Sequence, residues 1–267
     1  MDGRNVRIDT RWGAGDTRLY RQYATELVAL APDVIVAATT PTVVALLQAS
    51  RSVPIVFIGV IDPVGSGLVA SLARPGGNAT GFTPFECALA AKWLELLKEI
   101  APAVTRAAVL RDSTNAAGIG QFAAIQTVAP VGMGLSVIDL REAGEIERAI
   151  AAFAQRPNGG LIVTASQFGA NNPGLITALA AGHKLPAIYP FRYFVQAGGL
   201  VCYGSELESE PRRAAGYVDR ILKGERPSEL PVQNPTKYEL VINLKTAKTL
   251  GLEVPPTLIA RGDEVIE

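Results

Sequence analysis

Apolar residues gather in four near-continuous runs, and each run ends in a short polar loop that opens a helical pattern. The runs are Asp33-Val-Ile-Val-Ala-Ala-Thr-Thr-Pro-Thr, Pro54-Ile-Val-Phe-Ile-Gly-Val-Ile-Asp-Pro, Arg106-Ala-Ala-Val-Leu-Arg-Asp-Ser-Thr-Asn and Gly160-Leu-Ile-Val-Thr-Ala-Ser-Gln. Val, Ile, Leu and Ala in unbroken series mark strands covered on both faces, as parallel strands are. Open parallel sheets bind their ligands outside the carboxyl ends of the strands. The loops at those ends offer hydroxyls, amides and backbone N–H groups, which is the equipment of a small-molecule binder.

Periodicity predicts a strand over 5–11 and a helix over 17–31 with Leu19, Tyr23, Leu27 and Leu30 on one side. Strand 34–38, helix 41–50, strand 54–58 and a short helix over 65–73 follow. Arg74-Pro-Gly-Gly-Asn is a turn cluster, and Ala79-Thr-Gly-Phe-Thr reads as a crossing into a second unit. There the pattern repeats: helix 86–100, strand 106–110, helix 116–129, strand 135–139, helix 143–154, strand 160–164, helix 172–182 and strand 186–189. A strand at 198–204 and a helix at 206–223, stopped by Gly224, complete it. The expected class is α/β, two doubly wound parallel-sheet lobes joined by a hinge, with the ligand closed between them.

Composition narrows the function. The 267 residues carry 25 basic and 25 acidic side chains, so no long-range field recruits nucleic acid or an anionic membrane. No window approaches the roughly 18 uninterrupted apolar residues of a spanning helix. Met1-Asp-Gly-Arg-Asn-Val-Arg-Ile-Asp enters a strand with no apolar leader ahead of it, so an export signal is expected to be absent from this chain. Cys87 and Cys202 are the only thiols and read as two unrelated buried residues.

Thr39, Thr40, Pro41 and Thr42 lie at a strand end, with Thr40 placed for a helix cap and Pro41 for the first turn. Helix-end N–H groups there suit a ligand carboxylate; the competing role is capping alone. Ile61 and Asp62 end the second run, and Asp112, Ser113, Thr114 and Asn115 repeat the arrangement in the second unit. Asp62 and Asp112 are the acids closest to strand ends and could accept a solute ammonium, or serve only as Asx turns. Phe82, Phe85, Phe168, Tyr189, Phe191 and Tyr203 fall at strand ends or crossings. Such rings can sandwich a flat or aliphatic body while Ser166, Gln167 and Ser205 bond its polar groups, or can simply fill the interior. Trp12 and Trp93 read as packing.

No catalytic or metal set can be assembled around His183, the single histidine, which reads as a helix C-terminal residue. Cys87 shows no sign of activation, and the glycine pairs match no phosphate-loop spacing. Neither an enzyme nor a cofactor is expected.

Two long stretches carry a resemblance. Ile221-Leu-Lys-Gly-Glu-Arg-Pro-Ser-Glu-Leu-Pro-Val-Gln-Asn-Pro-Thr-Lys-Tyr-Glu-Leu-Val-Ile-Asn-Leu-Lys-Thr-Ala-Lys-Thr-Leu-Gly-Leu, with Ala260-Arg-Gly-Asp-Glu-Val-Ile-Glu, resembles the ABC transporter substrate-binding protein family that includes tryptophan- and tyrosine-binding members. Asp62-Pro-Val-Gly-Ser-Gly-Leu-Val-Ala-Ser-Leu-Ala-Arg-Pro-Gly-Gly-Asn-Ala-Thr-Gly looks like the same family. The resemblance implies a periplasmic binding protein type I fold with a three-crossing hinge: lobe one at 1–82 plus 205–238, lobe two at 83–204 plus 239–267. It implies a carboxylate-bearing solute, amino acid or aromatic acid, bound by the strand-end residues above. It also implies an ABC permease as partner and a periplasmic or lipid-anchored location. The family places a first strand and helix ahead of residue 5 that this chain lacks, so a truncated or misassigned start, or a homodimer covering the gap, is expected. A ligand-sensing regulatory module of the same fold is the alternative, although no helix-turn-helix or basic face precedes the lobes.

Overall fold

The computed structural model describes residues 6–207 and 209–267; residues 1–5, the last of which opens the expected first strand, and Glu208 of the expected last long helix lie outside them. In chain order the first elements are α1 (Thr17–Ala29), β1 (Ile35–Ala38), α2 (Thr40–Ala49), β2 (Ile55–Ile58) and β3 (Ala79–Gly81). Next come α3 (Ala90–Ile100), β4 (Arg106–Arg111), α4 (Ala116–Val128), β5 (Gly134–Asp139), α5 (Ala143–Ala154) and β6 (Gly159–Val163). Then follow α6 (Gln167–Asn171), α7 (Pro173–Gly182), β7 (Ala187–Tyr189), α8 (Arg192–Gln196) and β8 (Val201–Ser205). The chain ends with α9 (Ser209–Leu222), β9 (Tyr238–Asn243), α10 (Leu244–Thr249), α11 (Pro256–Ile259) and β10 (Glu264–Ile266).

These elements form two compact units, one of residues 1–83 and 209–233, the other of residues 84–208 and 234–267. The segment that rejoins the first unit is thus shorter at both ends than the expected 205–238, because Ser205 and Tyr238 face each other across β8 and β9 in the second.

The first unit holds a parallel sheet in the order β1-β2-β3, with Ile35 opposite Ile55 and Ile55 opposite Ala79. Strand alternation divides β2 between two cores. Ile55 and Phe57 join Val43, Leu46 and Val60 on one face, while Val56 meets Phe82, Ala214, Tyr217 and Ile221 on the other. Helix α9 therefore covers the face that α2 leaves open. On β1 the outer face is uncovered, with Val36 53% exposed, where the sequence pattern predicted burial on both sides. At Gly81 (φ +157°) a Cβ would strike the Phe57 carbonyl, so only glycine lets β3 end this close to β2.

The second unit carries a seven-stranded sheet in the order β10-β9-β8-β7-β6-β4-β5. All its pairings are parallel except β8 with β9, so the expected parallel sheet is mixed at that edge. Residues 107–110 of β4 and every residue of β6 are buried, as the continuous apolar runs predicted. Trp93 on α3 is fully buried, meets the Phe85 ring edge-on at 5.6 Å, and donates its indole N–H to the Tyr203 carbonyl at 2.7 Å. Cys87 and Cys202 are both free thiols, and burial pushes Cys202 up to about 12.

Two expected elements differ. Residues 7–12 form no strand, and Ile8 and Trp12 are 63% and 83% exposed, so little apolar burial holds the segment in place. The helix over 65–73 is absent, since the N–H groups of Leu68 and Val69 both turn back to the Pro63 carbonyl. Helices α8, α10 and α11 and strands β9 and β10 were not foreseen; the helices, of four to six residues, are too short to show a helical period.

Trp93→Phe keeps the ring contact but removes the buried indole donor, so it should cost on the order of 2 kcal/mol in urea denaturation. An unchanged midpoint would mean that this bond does not anchor the second unit.

Candidate functional site

In the first unit, α2 begins directly at the end of β1. Thr39 is its N-cap, whereas Thr40 was expected there; Thr40 is the first helical residue and Pro41 follows in the first turn. The reason is backbone geometry. Thr39 sits at φ 72°, ψ 152°, a region hostile to β-branched residues, and so breaks the chain direction one residue early. Its N–H donates to the Ile58 carbonyl at 3.0 Å, tying the ends of β1 and β2, while its buried hydroxyl has no partner. Thr42 donates its hydroxyl to the carbonyls of Ala38 and Thr39 and thereby closes the strand end.

Ile61 is buried, and Asp62 adopts φ 50° with its carboxylate accepting the Gly65 N–H at 2.8 Å. That is an Asx turn, the structural role weighed against ligand binding. Glu210, in the first turn of α9, reaches into the same region: Oε2 accepts the Gly59 N–H at 2.7 Å, one residue past β2. Glu210 is 4% exposed, and its Oε1 has no partner. Burial raises its pKa to about 7, against the opposing pull of the Gly59 N–H and the Arg213 charge.

In the second unit, Asp112 likewise turns inward, accepting from the Thr114 N–H at 2.9 Å and hydroxyl at 2.6 Å. Ser113 bonds the Asp139 carboxylate through its N–H and hydroxyl at 3.0 and 2.8 Å. Asn115 caps α4 through the Ala117 N–H, and Ser166 caps α6 through the Gly169 N–H. Gln167 donates to Asn171. Ser205, at the end of β8, is 3% exposed with an unpartnered hydroxyl.

The aromatic residues separate by burial. Phe85 and Tyr189 are sealed in the core, Phe85 against Phe191 at 5.5 Å and Tyr189 stacked on Phe194 at 4.9 Å. Phe168 and Tyr203 keep partial exposure at the ends of β6 and β8.

Sequence reasoning passed over Ser66, Arg111, Gln121 and Glu210, which carry buried polar atoms without a partner; in two of them the other atom of the same carboxylate or amide is already bonded. One is Glu210; the other is Gln121, fully buried on α4, whose Oε1 accepts the Ala165 N–H just past β6 while Nε2 has no partner. An amide in the second turn of a helix looks like surface until the tertiary structure buries it. A cavity of about 370 Å³ in the second unit lies at the opposite, amino-terminal strand ends, beside Val104, Gly159 and Pro186, away from all these residues. Among the described residues no group of three His, Cys, Asp or Glu could hold a metal ion.

The strand ends thus present a vacant carboxylate oxygen and a hydroxyl in the first unit, and an amide donor and a hydroxyl in the second. Orphaned buried polar atoms are rare in folded proteins and invite a partner from outside the chain.

A family model for ABC transporter substrate binding proteins matches residues 1–266. A tyrosine-binding protein of Clostridioides difficile (strain R20291) is 26% identical over 254 residues, 94% of this chain and 72% of that protein. Among solved structures, a conserved domain protein from Vibrio cholerae superposes with TM-score 0.92 at 29% identity, covering 99% of this chain and 88% of that one. An ABC domain in complex with L-Trp from Streptococcus pneumonia also gives TM-score 0.92, at 24% identity over 99% and 89% of the two chains. A ligand-free, open substrate-binding protein with adhesive properties from Clostridium difficile gives 0.71 at 26% identity, over 100% and 89%.

Two stability measurements probe this geometry. Because the folded pKa of Glu210 lies above the ordinary 4.5, the folded state holds the extra proton between about pH 4.5 and 7, and stability falls as pH rises through that window. Glu210→Gln should therefore exceed the parent by on the order of 3 kcal/mol at pH 8 and lose that advantage below pH about 4.5 in denaturant titrations. Equal stability at pH 8 would contradict a buried, charged Glu210. Thr39→Gly should be more stable than Thr39→Ala by roughly 1 kcal/mol, since only glycine relaxes the strained backbone. The reverse order would show that the Thr39 conformation carries no strain.

Proposed function

We propose that this chain, which belongs to the ABC transporter substrate-binding protein family, captures a small carboxylate-bearing solute and delivers it unaltered to a membrane permease. The observation that carries this reading is that buried donors of the second unit stand without partners: Arg111 Nε at the end of β4 and, near the carboxyl ends of β6 and β8, the neutral Gln121 Nε2 and Ser205 Oγ. Two neutral donors held in a dry setting match the oxygens of a carboxylate, whose binding there returns the hydrogen bonds that burial removed. The tyrosine-binding relative supports an amino acid or aromatic acid as the solute class.

No bond is made or broken in the solute, and ATP is consumed by a separate transporter subunit. The family supports a site of action in the periplasm or at the cell surface, and no helix among the described residues is long and apolar enough to cross a membrane. Nothing supports a homodimer, which is not part of this reading.

Calorimetric titration of the purified chain with L-tryptophan, L-tyrosine and their aromatic-acid analogues tests the reading. At least one should bind saturably and be recovered unchanged, and Gln121→Leu or Ser205→Ala should each weaken it about tenfold, the loss of one well-formed hydrogen bond. Absence of binding, a chemically altered solute, or two variants that bind as the parent does would each overturn it.

A further inference from the structure

The cavity of about 370 Å³ in the second unit lies where four helices end, α3 at its C-cap Ala101, α5 at Gln155, α7 at His183 and α10 at Leu250. Helix C-termini present carbonyls with partial negative charge, and cations commonly answer them. Two cations already do so here. Lys98 donates its ammonium to the Pro102 and Val104 carbonyls at 2.8 and 2.6 Å, and the Arg106 guanidinium donates to the carbonyls of Phe153, Arg156 and Pro157. Three further basic side chains, Arg156, His183 and Lys184, line the cavity, and none makes a side-chain hydrogen bond or an ion pair among the described residues. No aspartate or glutamate lines it. The rest of the lining is largely apolar: Ala101, Val104 and Leu185 are buried, and Leu250 and Leu252 are half-buried. Every one of these residues belongs to the second unit.

A single solvated lysine on a surface asks for no partner. Basic groups of one sign around one concavity are different, because low-dielectric walls focus their field on whatever enters. We propose that this cavity is a second ligand site, for a small organic anion whose apolar body rests on Val104, Leu185 and Leu252 while its anionic group meets Arg156, His183 and Lys184. The volume falls within the range of about 300–1,000 Å³ in which small molecules are held, and an apolar lining with a few polar groups is the usual composition of such sites. The guanidinium and ammonium supply charged donors, and the imidazole donates a hydrogen bond whether neutral or protonated. Charge alone would leave the leucines and Val104 unused, and an uncharged body would leave the cations solvated as before. This site stands apart from the solute reading: it adjoins the amino-terminal ends of β4, β6 and β7, whereas Gln121 and Ser205 serve carboxyl ends.

The probe is naphthalene-2-sulfonate, titrated calorimetrically into the full chain, with 2-naphthol as the uncharged counterpart and inorganic sulfate as the anion without a body. The sulfonate should bind saturably at one site, about tenfold or more tightly than either counterpart, as one charge-assisted hydrogen bond provides. Arg156 and Lys184 are exposed, so reversing their charge leaves the packing alone. Arg156→Glu and Lys184→Glu should each weaken the sulfonate about tenfold or more. Gln121→Leu and Ser205→Ala should keep the parental sulfonate affinity. A sulfonate that does not saturate, that binds no better than 2-naphthol or sulfate, or that binds both charge-reversed variants as it binds the parent overturns the proposal. Loss of the sulfonate in Gln121→Leu or Ser205→Ala with its retention in the charge-reversed variants would put the probe at the carboxyl strand ends, and overturns it equally. None of these outcomes bears on the solute reading, and should one charge-reversed variant not fold, the other and the three-probe comparison still decide.

Discussion

A polar atom taken out of water and left without a partner costs about 1–3 kcal/mol, and this chain keeps several at the carboxyl ends of its strands. The parallel sheets explain why they gather there. Each strand hands over to a helix within a few residues, so the loops that make the turn bring N–H groups, hydroxyls and carboxylates to one end of the sheet. Most of these groups satisfy one another, as Ser113 does with Asp139 and Asp112 with Thr114. Thr39, Gln121, Ser205 and Glu210 each keep a buried polar atom that does not.

The surrounding packing makes those vacancies tolerable. Glu210 is held by a helix whose opposite turns bury Ala214, Tyr217 and Ile221 against Val56 and Phe82, and the Tyr217 hydroxyl is anchored on the Pro231 carbonyl at 2.6 Å. Gln121 rides on α4, whose neighbouring Gly118 comes so close to the Asp112 carbonyl that a Cβ would collide with it. Such supports hold the orphaned atoms in fixed places within their units, the kind of preorganisation that lowers the ordering cost of any ligand.

Much of the fold was legible in the sequence because local pattern and tertiary outcome agreed. The apolar runs at 106–110 and 160–164 became β4 and β6 buried on both faces, and the helical spacing at 143–154 became α5 with its ends unchanged. Legibility failed where a segment depends on partners. Residues 7–12 alternate like a strand yet have no regular structure, and residues 65–73 carry apolar residues at helical spacing yet follow the Asx turn of Asp62 and the left-handed Gly67. Among the residues of the proposed site, the strand ends that carry Thr39 and Ser205 are readable from the strand pattern, whereas Glu210 reads as an ordinary first-turn acid of a polar helix and Gln121 as a solvated amide. Only tertiary burial distinguishes them.

In the proposed role, donors left without partners in the second unit acquire them from the solute. The most direct measurement is a crystal structure of the chain grown with L-tryptophan or L-tyrosine. The account predicts the solute carboxylate within hydrogen-bond distance of Gln121 Nε2 and Ser205 Oγ. A solute bound elsewhere, with those donors still unpartnered or turned to other protein groups, would contradict it.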